Sequence, residues 1–145
     1  LSLVIIRPSS IYGFGLDKEK LISKFINKLS NHEKIILKEP FSDKFNLIHA
    51  EDVVYASLKA MKSNSYSVYN ISSDKLYSIK KIAQICHKII GKGTVVLENK
   101  KLVSSNVSKK LFNLSNLRAK HELNFKPKYD LTNGLIKMID DIKGV

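Results

Sequence analysis

Residues 3–15 read LVIIRPSSIYGFG and decide the fold prediction. The first four form a continuous run of leucine and β-branched residues, which is typical of a strand buried on both faces of a parallel sheet. Arg7-Pro8 is expected to end this strand, because proline has no backbone N–H to donate to a ladder. Gly13 and Gly15 then indicate a loop. The stretch therefore predicts a buried strand whose C-terminal end leads into a loop, where open α/β sheets bind ligands.

The rest of the chain alternates between helical and strand patterns. Apolar residues recur at intervals of one and three over Lys18–Leu29, which is the period of an amphipathic helix. Further helices are predicted over His49–Met61, Ser78–Ile90, Ser115–Leu123 and from Asp130 onward, and strands over Ile35–Leu37, Phe45–Ile48, Ser67–Ile71 and Thr94–Leu97. The expected N-caps are Asp17, Ser78, Ser115 and Asp130, and Gly91 is the expected C-terminal stop. This alternation predicts an α/β fold, and no linker divides the chain.

Composition excludes several classes of protein. The 145 residues are 43% hydrophobic and 26% charged, which is ordinary for a globular domain and unlike a disordered tail. No uninterrupted apolar run approaches 20 residues, so no membrane span is expected. Cys86 is the only cysteine, which excludes an internal disulfide and gives no sign of an oxidising compartment. The opening run lacks signal-peptide features, and together with the single cysteine this predicts a cytoplasmic location. His32, His87 and His121 have no acidic or cysteine partner at metal-ligand spacing, so no metal site is expected.

The chain is strongly basic, and two kinds of partner could account for this. Lys and Arg number 25 against 13 acidic residues, a formal charge of +12. Only Arg7 and Arg118 are arginines, although arginine is the residue suited to base edges and bidentate phosphate contacts. The lysines are also scattered, as on a solvated surface. An anionic small molecule therefore explains the charge as well as nucleic acid does, and we expect no nucleic-acid role.

Four segments resemble a known family. Arg7–Gly15, Asn46–Val53, Val68–Ile79 and Ser115–Leu135 are similar, in order and spacing, to R-P-x-x-x-Y-G-x-G, D-F-I-H-V-D-D-V, Y-N-I-G-S then Y-S-I, and S-K-A-R-R-E-L-G-F-K-P segments. These belong to the NAD(P)-dependent epimerases and dehydratases of the extended short-chain dehydrogenase/reductases. The resemblance implies the C-terminal part of a Rossmann-like fold: the last parallel strands plus a small α/β substrate-binding region. Residues 1–145 would form a single partial domain without the N-terminal dinucleotide-binding part.

The resemblance also implies site residues. Pro8, Ser9 and Ser10 would lie at the nicotinamide end of NAD or NADP, but only together with the missing half. The substrate, an anionic sugar derivative or nucleotide sugar, would contact Ser10, Tyr12, Lys44, Phe45, Lys100 and Lys101. Phe45 stands where the family carries one of two diphosphate-binding arginines, and lysines could replace them as point charges. His49 is expected to cap a helix rather than to transfer protons.

Two parts of the family's machinery are missing from this sequence. No G-x-x-G-x-x-G or G-x-G-x-x-G is present to cradle a pyrophosphate, so we expect no tight cofactor binding to this chain. The family's Tyr-x-x-x-Lys pair precedes its Arg-Pro strand, whereas Tyr55/Lys59 and Tyr77/Lys81 follow it. Both pairs are interpreted as chance matches, and no catalytic residue is assigned here.

Three functions remain open from the sequence. The first is the substrate-binding portion of an NAD(P)-dependent epimerase, dehydratase or reductase that is inactive alone. The second is a non-catalytic binding module with the same fold, and the third is a basic nucleic-acid-binding domain. Because the strand at Leu3–Ile6 would lack neighbours, its exposed apolar edge should also associate with another chain, so a homo-oligomer is expected.

Overall fold

The structure, a computed structural model, describes residues 3–38, 40–63, 66–98 and 111–144. Where registers are defined, the strands pair in parallel, which confirms the predicted α/β class. In chain order, the elements of this part are β1 (Val4–Pro8), β2 (Ser10–Tyr12), α1 (Leu21–Ser30), β3 (Lys34–Lys38), β4 (Lys44–His49), α2 (Ala50–Ala60), β5 (Ser67–Ile71), β6 (Leu76–Ser78), α3 (Ile79–Ile90), β7 (Thr94–Glu98), β8 (Leu111–Phe112), α4 (Leu117–Leu123) and α5 (Leu131–Lys143).

The chain divides into two compact units. Unit 1 comprises Leu1–Phe14, Asn46–Leu76 and Asn113–Val145, and unit 2 comprises Gly15–Phe45 and Tyr77–Phe112, within the described residues. The single partial domain expected over residues 1–145 stays a prediction, because it concerns cooperative folding rather than contacts.

Unit 1 is built around two parallel strand pairs. β1 pairs with β5, and β2 pairs with the end of β4. Parallel neighbours need a crossover connection, and α2 lies in the chain between β1 and β5 and contacts β1 and α4. Apolar residues from these elements form one buried cluster, which removes their surface from water and holds the unit together. Its members are Ile48, Ala56, Ala60, Tyr69, Ile71, Ala119, Leu123 and Phe125.

Strand β1 is more exposed than the sequence pattern predicts. It runs through Arg7 to Pro8, and its apolar residues are half-buried rather than buried on both faces. In the described part of the chain β5 is its one strand partner, so a single edge of β1 is covered. The strand therefore ends at Arg7-Pro8 as predicted, with the proline as its last residue, whereas the expected burial on both faces is wrong for this structure.

The hydrogen-bond pattern explains why Pro8 is tolerated within β1. The N–H of Ser67 donates to the carbonyl of Leu3, and the N–H of Ser9 donates to the carbonyl of Ile71. Because the bonds of a parallel pair alternate, the odd-numbered residues of β1 donate to β5 and the even-numbered ones point to the other edge. Pro8 belongs to the even-numbered set, so its missing N–H costs no bond to β5.

Unit 2 is built around a parallel strand pair and two helices. β3 pairs with β7 from Lys34 opposite Thr94 to Lys38 opposite Glu98. Burial alternates along β3, so one of its faces packs inward, and α1 contacts both β3 and α3. The residues that fill this core are Ile22, Phe25, Ile26, Leu29, Ile35, Leu37, Ile82, Ala83 and Cys86.

Three helix boundaries agree with the sequence prediction. Ser78 caps α3, because its Oγ accepts a hydrogen bond from the N–H of Lys81 at 3.1 Å. Asp130 caps α5 through the N–H of Asn133 at 2.9 Å. Gly91 ends α3 in the left-handed conformation, with φ of 68°, which glycine adopts without strain.

Two predicted N-caps are wrong. α1 begins at Leu21, while Asp17 accepts from the N–H of Glu19 at 2.7 Å and so closes a turn before the helix. α4 begins at Leu117, and the residue before it is Asn116 rather than Ser115. At Asp17 the turn takes the side chain that was expected to cap the helix, whereas α4 starts one residue later than predicted.

Candidate functional site

The C-terminal end of β1 carries the predicted cofactor contacts. Pro8 and Ser10 are exposed here, at the junction of β1 and β2, and Ser9 lies between them. The Oγ of Ser9 is buried and makes no hydrogen bond within the described part of the chain. A buried hydroxyl without a partner is unfavourable by roughly 1–3 kcal/mol, so this position favours a polar group that would reach it.

Tyr12, a predicted substrate contact, lies in the core of unit 1. Its side chain is 1% exposed, and its hydroxyl donates to the carbonyl of Asp130 at 3.2 Å. Gly134 allows this approach, because a Cβ added there would overlap the hydroxyl and ring of Tyr12. The side chain thus joins the end of β2 to the start of α5.

His49 is the N-cap residue directly before α2, which confirms the predicted capping role. Its Nδ1 accepts from the N–H of Glu51 at 3.3 Å, which requires the neutral ring with the proton on Nε2. Burial lowers the pKa of His49 below its ordinary value, outweighing the opposite effect of nearby carboxylates. The ring lies between Tyr12 and Tyr129, at centroid distances of 5.3 and 4.4 Å. It is therefore held neutral as part of the core.

Asp52, three residues further on, fixes the segment before α5. Its two carboxylate oxygens accept the N–H groups of Lys128 at 2.8 Å and Tyr129 at 3.2 Å. Both bonds are charge-assisted, which makes them stronger than bonds between neutral groups. Asp52 is therefore a structural residue, in addition to being an acidic residue in the first turn of α2.

Lys44 and Phe45 lie on opposite faces of β4 in unit 2. Successive side chains of a strand alternate between faces, so two neighbours cannot line the same surface. In the neighbouring strand β8, Leu111 lies opposite Lys44 and Phe112 lies opposite Phe45, so each pair shares one face of the two strands. Of the predicted substrate residues, Ser10 and Tyr12 thus belong to unit 1, whereas Lys44 and Phe45 lie on different faces in unit 2. Lys100 and Lys101 lie outside the described residues.

A cavity of about 460 Å³ lies on the Lys44 face of unit 2. Two lysines, two serines and two apolar side chains line it: Lys44, Lys80, Ser42, Ser78, Phe41 and Leu111. In the sequence, Lys80 is one of many scattered lysines. The loop before β4 and the start of α3 bring it to Lys44, and no local signal could have shown that.

Unit 1 has a second cavity, of about 410 Å³, beside α2. Its lining includes two carboxylates that already have partners. Glu51 accepts from the hydroxyl of Tyr129 at 2.7 Å and pairs with Lys137, and Asp52 holds the two backbone groups described above. The hydrogen bond from Tyr129 is the main cause that keeps the pKa of Glu51 below its usual value. Neither carboxylate resembles a poised acid or base.

The two Tyr-x-x-x-Lys matches occupy different surroundings. Tyr55 is an exposed residue of α2, and the Nζ of Lys59 lies 4.9 Å from the centroid of its ring rather than at its hydroxyl. Tyr77 lies on β6, and Lys81 lies in the first turn of α3. Neither arrangement in the described structure places an ammonium against a phenol oxygen, which is the contact that lowers a tyrosine's pKa.

Asn46 is a buried polar residue that sequence reasoning overlooked. Its amide donates to the carbonyls of Ser73 at 3.0 Å and Lys75 at 3.4 Å, and its oxygen accepts from the N–H of Leu114 at 2.8 Å. It therefore ties three separate segments of unit 1 together. Its partners lie 27 to 68 positions away, so nothing in the adjacent sequence indicates this network.

Metal and thiol chemistry have no site in the described residues. No group of three or more His, Cys, Asp or Glu side chains in that part could hold a metal ion. Cys86 is buried in unit 2, and burial raises the pKa of its thiol to about 12, so the nucleophilic thiolate is not populated at neutral pH. Among the helices described, none has the length and apolar character needed to cross a bilayer.

Comparison with known sequences identifies relatives. Residues 1–72 match the sequence profile of the NAD dependent epimerase/dehydratase family. The chain is 29% identical over 143 residues to the mouse (Mus musculus) dTDP-D-glucose 4,6-dehydratase, which covers 95% of the chain and 40% of the relative. It is 32% identical over 83 residues to the human (Homo sapiens) dTDP-D-glucose 4,6-dehydratase, covering 57% of the chain and 24% of the relative. The chain thus spans less than half the length of these relatives.

Solved structures show the same fold. The UDP-N-acetylglucosamine 4-epimerase of Bacillus cereus superposes with a TM-score of 0.84 at 18% identity, covering 100% of this chain and 47% of that one. The UDP-glucose 4-epimerase of Thermotoga maritima, solved with UDP-glucose, gives 0.83 at 19% identity, covering 97% and 46%. This likeness confirms the predicted fold, which the chain shares with these two epimerases. The sequence match over residues 1–72 identifies the chain as a member of the NAD dependent epimerase/dehydratase family.

Proposed function

We propose that this chain is the substrate-binding, C-terminal portion of an NAD(P)-dependent sugar-nucleotide epimerase or dehydratase, and that it is inactive alone. The observation that carries the proposal is the open edge of β1. This strand is parallel, half-buried and paired only with β5 among the described residues. Parallel strands normally lie inside a sheet that is covered on both faces, so an open parallel edge favours further strands on that side.

The length of the relatives supports the same interpretation. The chain corresponds to 40% of the mouse relative, so more than half of such an enzyme would have to come from other polypeptide. The glycine-rich pyrophosphate turn and the catalytic Tyr-x-x-x-Lys would both belong to that portion. A polypeptide without them lacks the groups that would hold the dinucleotide and move a proton.

The residues at the end of β1 fit one end of the cofactor. The buried Ser9 hydroxyl without a partner is available to a polar group such as the nicotinamide carboxamide. Pro8 and Ser10 lie exposed on either side of it and would complete that contact. When bound, NAD or NADP would supply the hydride acceptor. These three residues alone offer no group for the pyrophosphate, so the chain by itself should bind the dinucleotide weakly.

The substrate would be an anionic sugar derivative, with a nucleotide sugar as the leading candidate. Ser10 is exposed at the start of β2, and Phe45 is half-buried on β4, where its ring could pack on a sugar or base. Lys100 and Lys101 would supply positive charge. Lys44, on the opposite face of β4 from Phe45, would add only long-range attraction for the anion, and Tyr12 would hold β2 in place through its hydrogen bond to Asp130. Mouse and human relatives named for dTDP-D-glucose, and structural neighbours named for UDP-glucose, support this substrate class.

The proposal also includes assembly and location. Association with another copy would cover the open edge of β1 and the exposed Leu3 in the 145-residue chain, whereas in the complete enzyme the added strands would cover that edge. A homo-oligomer of the complete enzyme stays part of the proposal without support from this edge. A cytoplasmic location agrees with a chain that has one buried cysteine.

The test extends the chain by the polypeptide that its own gene encodes upstream of Leu1. Conversion of dTDP-glucose and UDP-glucose is followed by NMR for the extended and the 145-residue chains, with NAD present. We expect conversion by the extended chain alone. Hydride transfer by the 145-residue chain would overturn the proposal. An extended chain that binds nucleotide sugar, lacks both motifs and converts nothing would favour the non-catalytic module instead.

A further inference from the structure

We propose that the cavity on the Lys44 face of unit 2 binds a phosphorylated small molecule, at a site separate from the Phe45 surface. The cavity measures about 460 Å³, which lies in the size range of small-molecule sites. All the described residues that line it belong to unit 2. The inference does not depend on the proposed enzymatic function, because it rests on the lining of this cavity.

Strand alternation separates this cavity from the Phe45 surface. Lys44 and its cross-strand neighbour Leu111 line the cavity, whereas Phe45 and Phe112 point to the opposite face of the same two strands. A molecule bound against Phe45 would therefore leave the cavity free. Two different ligands could occupy the two faces together.

The charge of the lining determines the class of ligand. Lys44 and Lys80 contribute two ammonium groups, and no carboxylate is among the described residues that line the cavity. The ion pairs between described residues include neither lysine. Two ammonium groups without a carboxylate attract an anion, and phosphate carries enough charge and enough acceptor oxygens to engage both.

Side chains rather than helix amides would hold this anion. At the start of α3 the N–H of Lys80 already donates to the carbonyl of Phe41 at 3.1 Å, and the N–H of Lys81 already donates to Ser78 Oγ. The capping bond uses Ser78 as an acceptor, so its hydroxyl hydrogen can still be donated to a phosphate oxygen. Ser42 supplies a second hydroxyl.

The apolar part of the lining indicates an organic phosphate rather than a bare ion. Phe41 and Leu111 form an apolar wall beside the two lysines. A ligand with an aromatic or aliphatic group next to its phosphate would cover this wall and remove it from water. The site therefore fits a small phosphate monoester better than inorganic phosphate.

The experiment titrates the 145-residue chain with phenyl phosphate and inorganic phosphate by calorimetry at 150 mM salt. We expect 1:1 binding of phenyl phosphate with a dissociation constant below about 1 mM, and at least several-fold weaker binding of inorganic phosphate. Lys44→Gln and Lys80→Gln should each weaken phenyl phosphate binding about tenfold, since each removes one of two ammonium groups. Lys92→Gln, an exposed lysine of the same unit outside the lining, is the matched control and should change nothing.

Three results would overturn the proposal. The first is no saturable binding of phenyl phosphate, the second is weakening by Lys92→Gln as large as by the other two variants, and the third is loss of binding in Phe45→Leu. The second result would mean attraction by the overall positive charge, and the third would mean a single site shared with the Phe45 surface. If the extended chain failed to bind nucleotide sugar but still bound phenyl phosphate, the result would contradict the proposed function and leave this inference intact.

Discussion

Replacing Asp52 with alanine is expected to destabilise the folded chain by about 3 kcal/mol. The carboxylate is 1% exposed and accepts two backbone N–H groups, from Lys128 at 2.8 Å and Tyr129 at 3.2 Å. A hydrogen bond to a charged group contributes roughly 1.5–3 kcal/mol. Both donor residues are at least partly exposed, so water can replace part of each hydrogen bond. We therefore take the lower end of this range, about 1.5 kcal/mol, for each of the two bonds.

Urea unfolding at pH 7, followed by circular dichroism, measures this loss. With a denaturant slope of roughly 2 kcal/mol per molar urea, about 3 kcal/mol lowers the midpoint by about 1.5 M. Asp52→Asn retains one acceptor oxygen and should lose about half as much. Asp140→Ala, at an exposed position of α5, is the control and should stay within about 0.5 kcal/mol of the parent chain.

A particular result would refute this reasoning. If Asp52→Ala unfolds within about 0.5 kcal/mol of the parent and of Asp140→Ala, the carboxylate does not fix the segment before α5. The assignment of Asp52 as a structural residue of unit 1 would then be wrong.

Two further predictions concern the same region. Gly134→Ala should destabilise the chain by about 1–3 kcal/mol in thermal unfolding, because the new Cβ would overlap Tyr12, although alanine normally favours a helix. Asn133→Ala, at an exposed position of the same helix, is the control and should not destabilise the chain. Equal stability of the two variants would contradict the overlap. His49 has its pKa lowered by burial, so the unfolded chain binds more protons below about pH 6.5 and stability should fall as the pH drops through that value, by at most about 1.4 kcal/mol per pH unit. His49→Asn keeps a capping side chain without the titration and should flatten the dependence between pH 5 and 7; an unchanged slope would show that another group causes it.

The sequence predicted those parts of the fold that depend on local patterns. The helices α2, α3 and α5 and the strands β3 and β5 follow from apolar periodicity, and the caps at Ser78 and Asp130 follow from residue type. Strands β2, β6 and β8 were missed, because two or three residues are too few to show alternation. The cap at Asp17 failed because turn formation competes locally with capping, and the cap at Ser115 missed the start of α4 by one residue.

The candidate site was less accessible to sequence reasoning. Alternation along β4 could have shown that Lys44 and Phe45 face opposite ways, since it needs only the strand assignment. The approach of Lys80 to Lys44, the network of Asn46 and the core position of Tyr12 depend on contacts between distant segments. Such contacts follow from the tertiary fold and have no signature in the neighbouring residues.

Amide hydrogen exchange along β1 tests most directly whether this strand belongs inside a larger sheet. The odd-numbered amides, Ile5 and Arg7, point to β5, whereas those of Val4 and Ile6 point to the open edge. In the 145-residue chain, at a dilution where it is monomeric, we predict slow exchange at Ile5 and Arg7 and fast exchange at Val4 and Ile6. In the chain extended by its upstream polypeptide, Val4 and Ile6 should become protected as well. Fast exchange at Val4 and Ile6 in both forms would contradict the account, because no neighbouring strand would then occupy that edge.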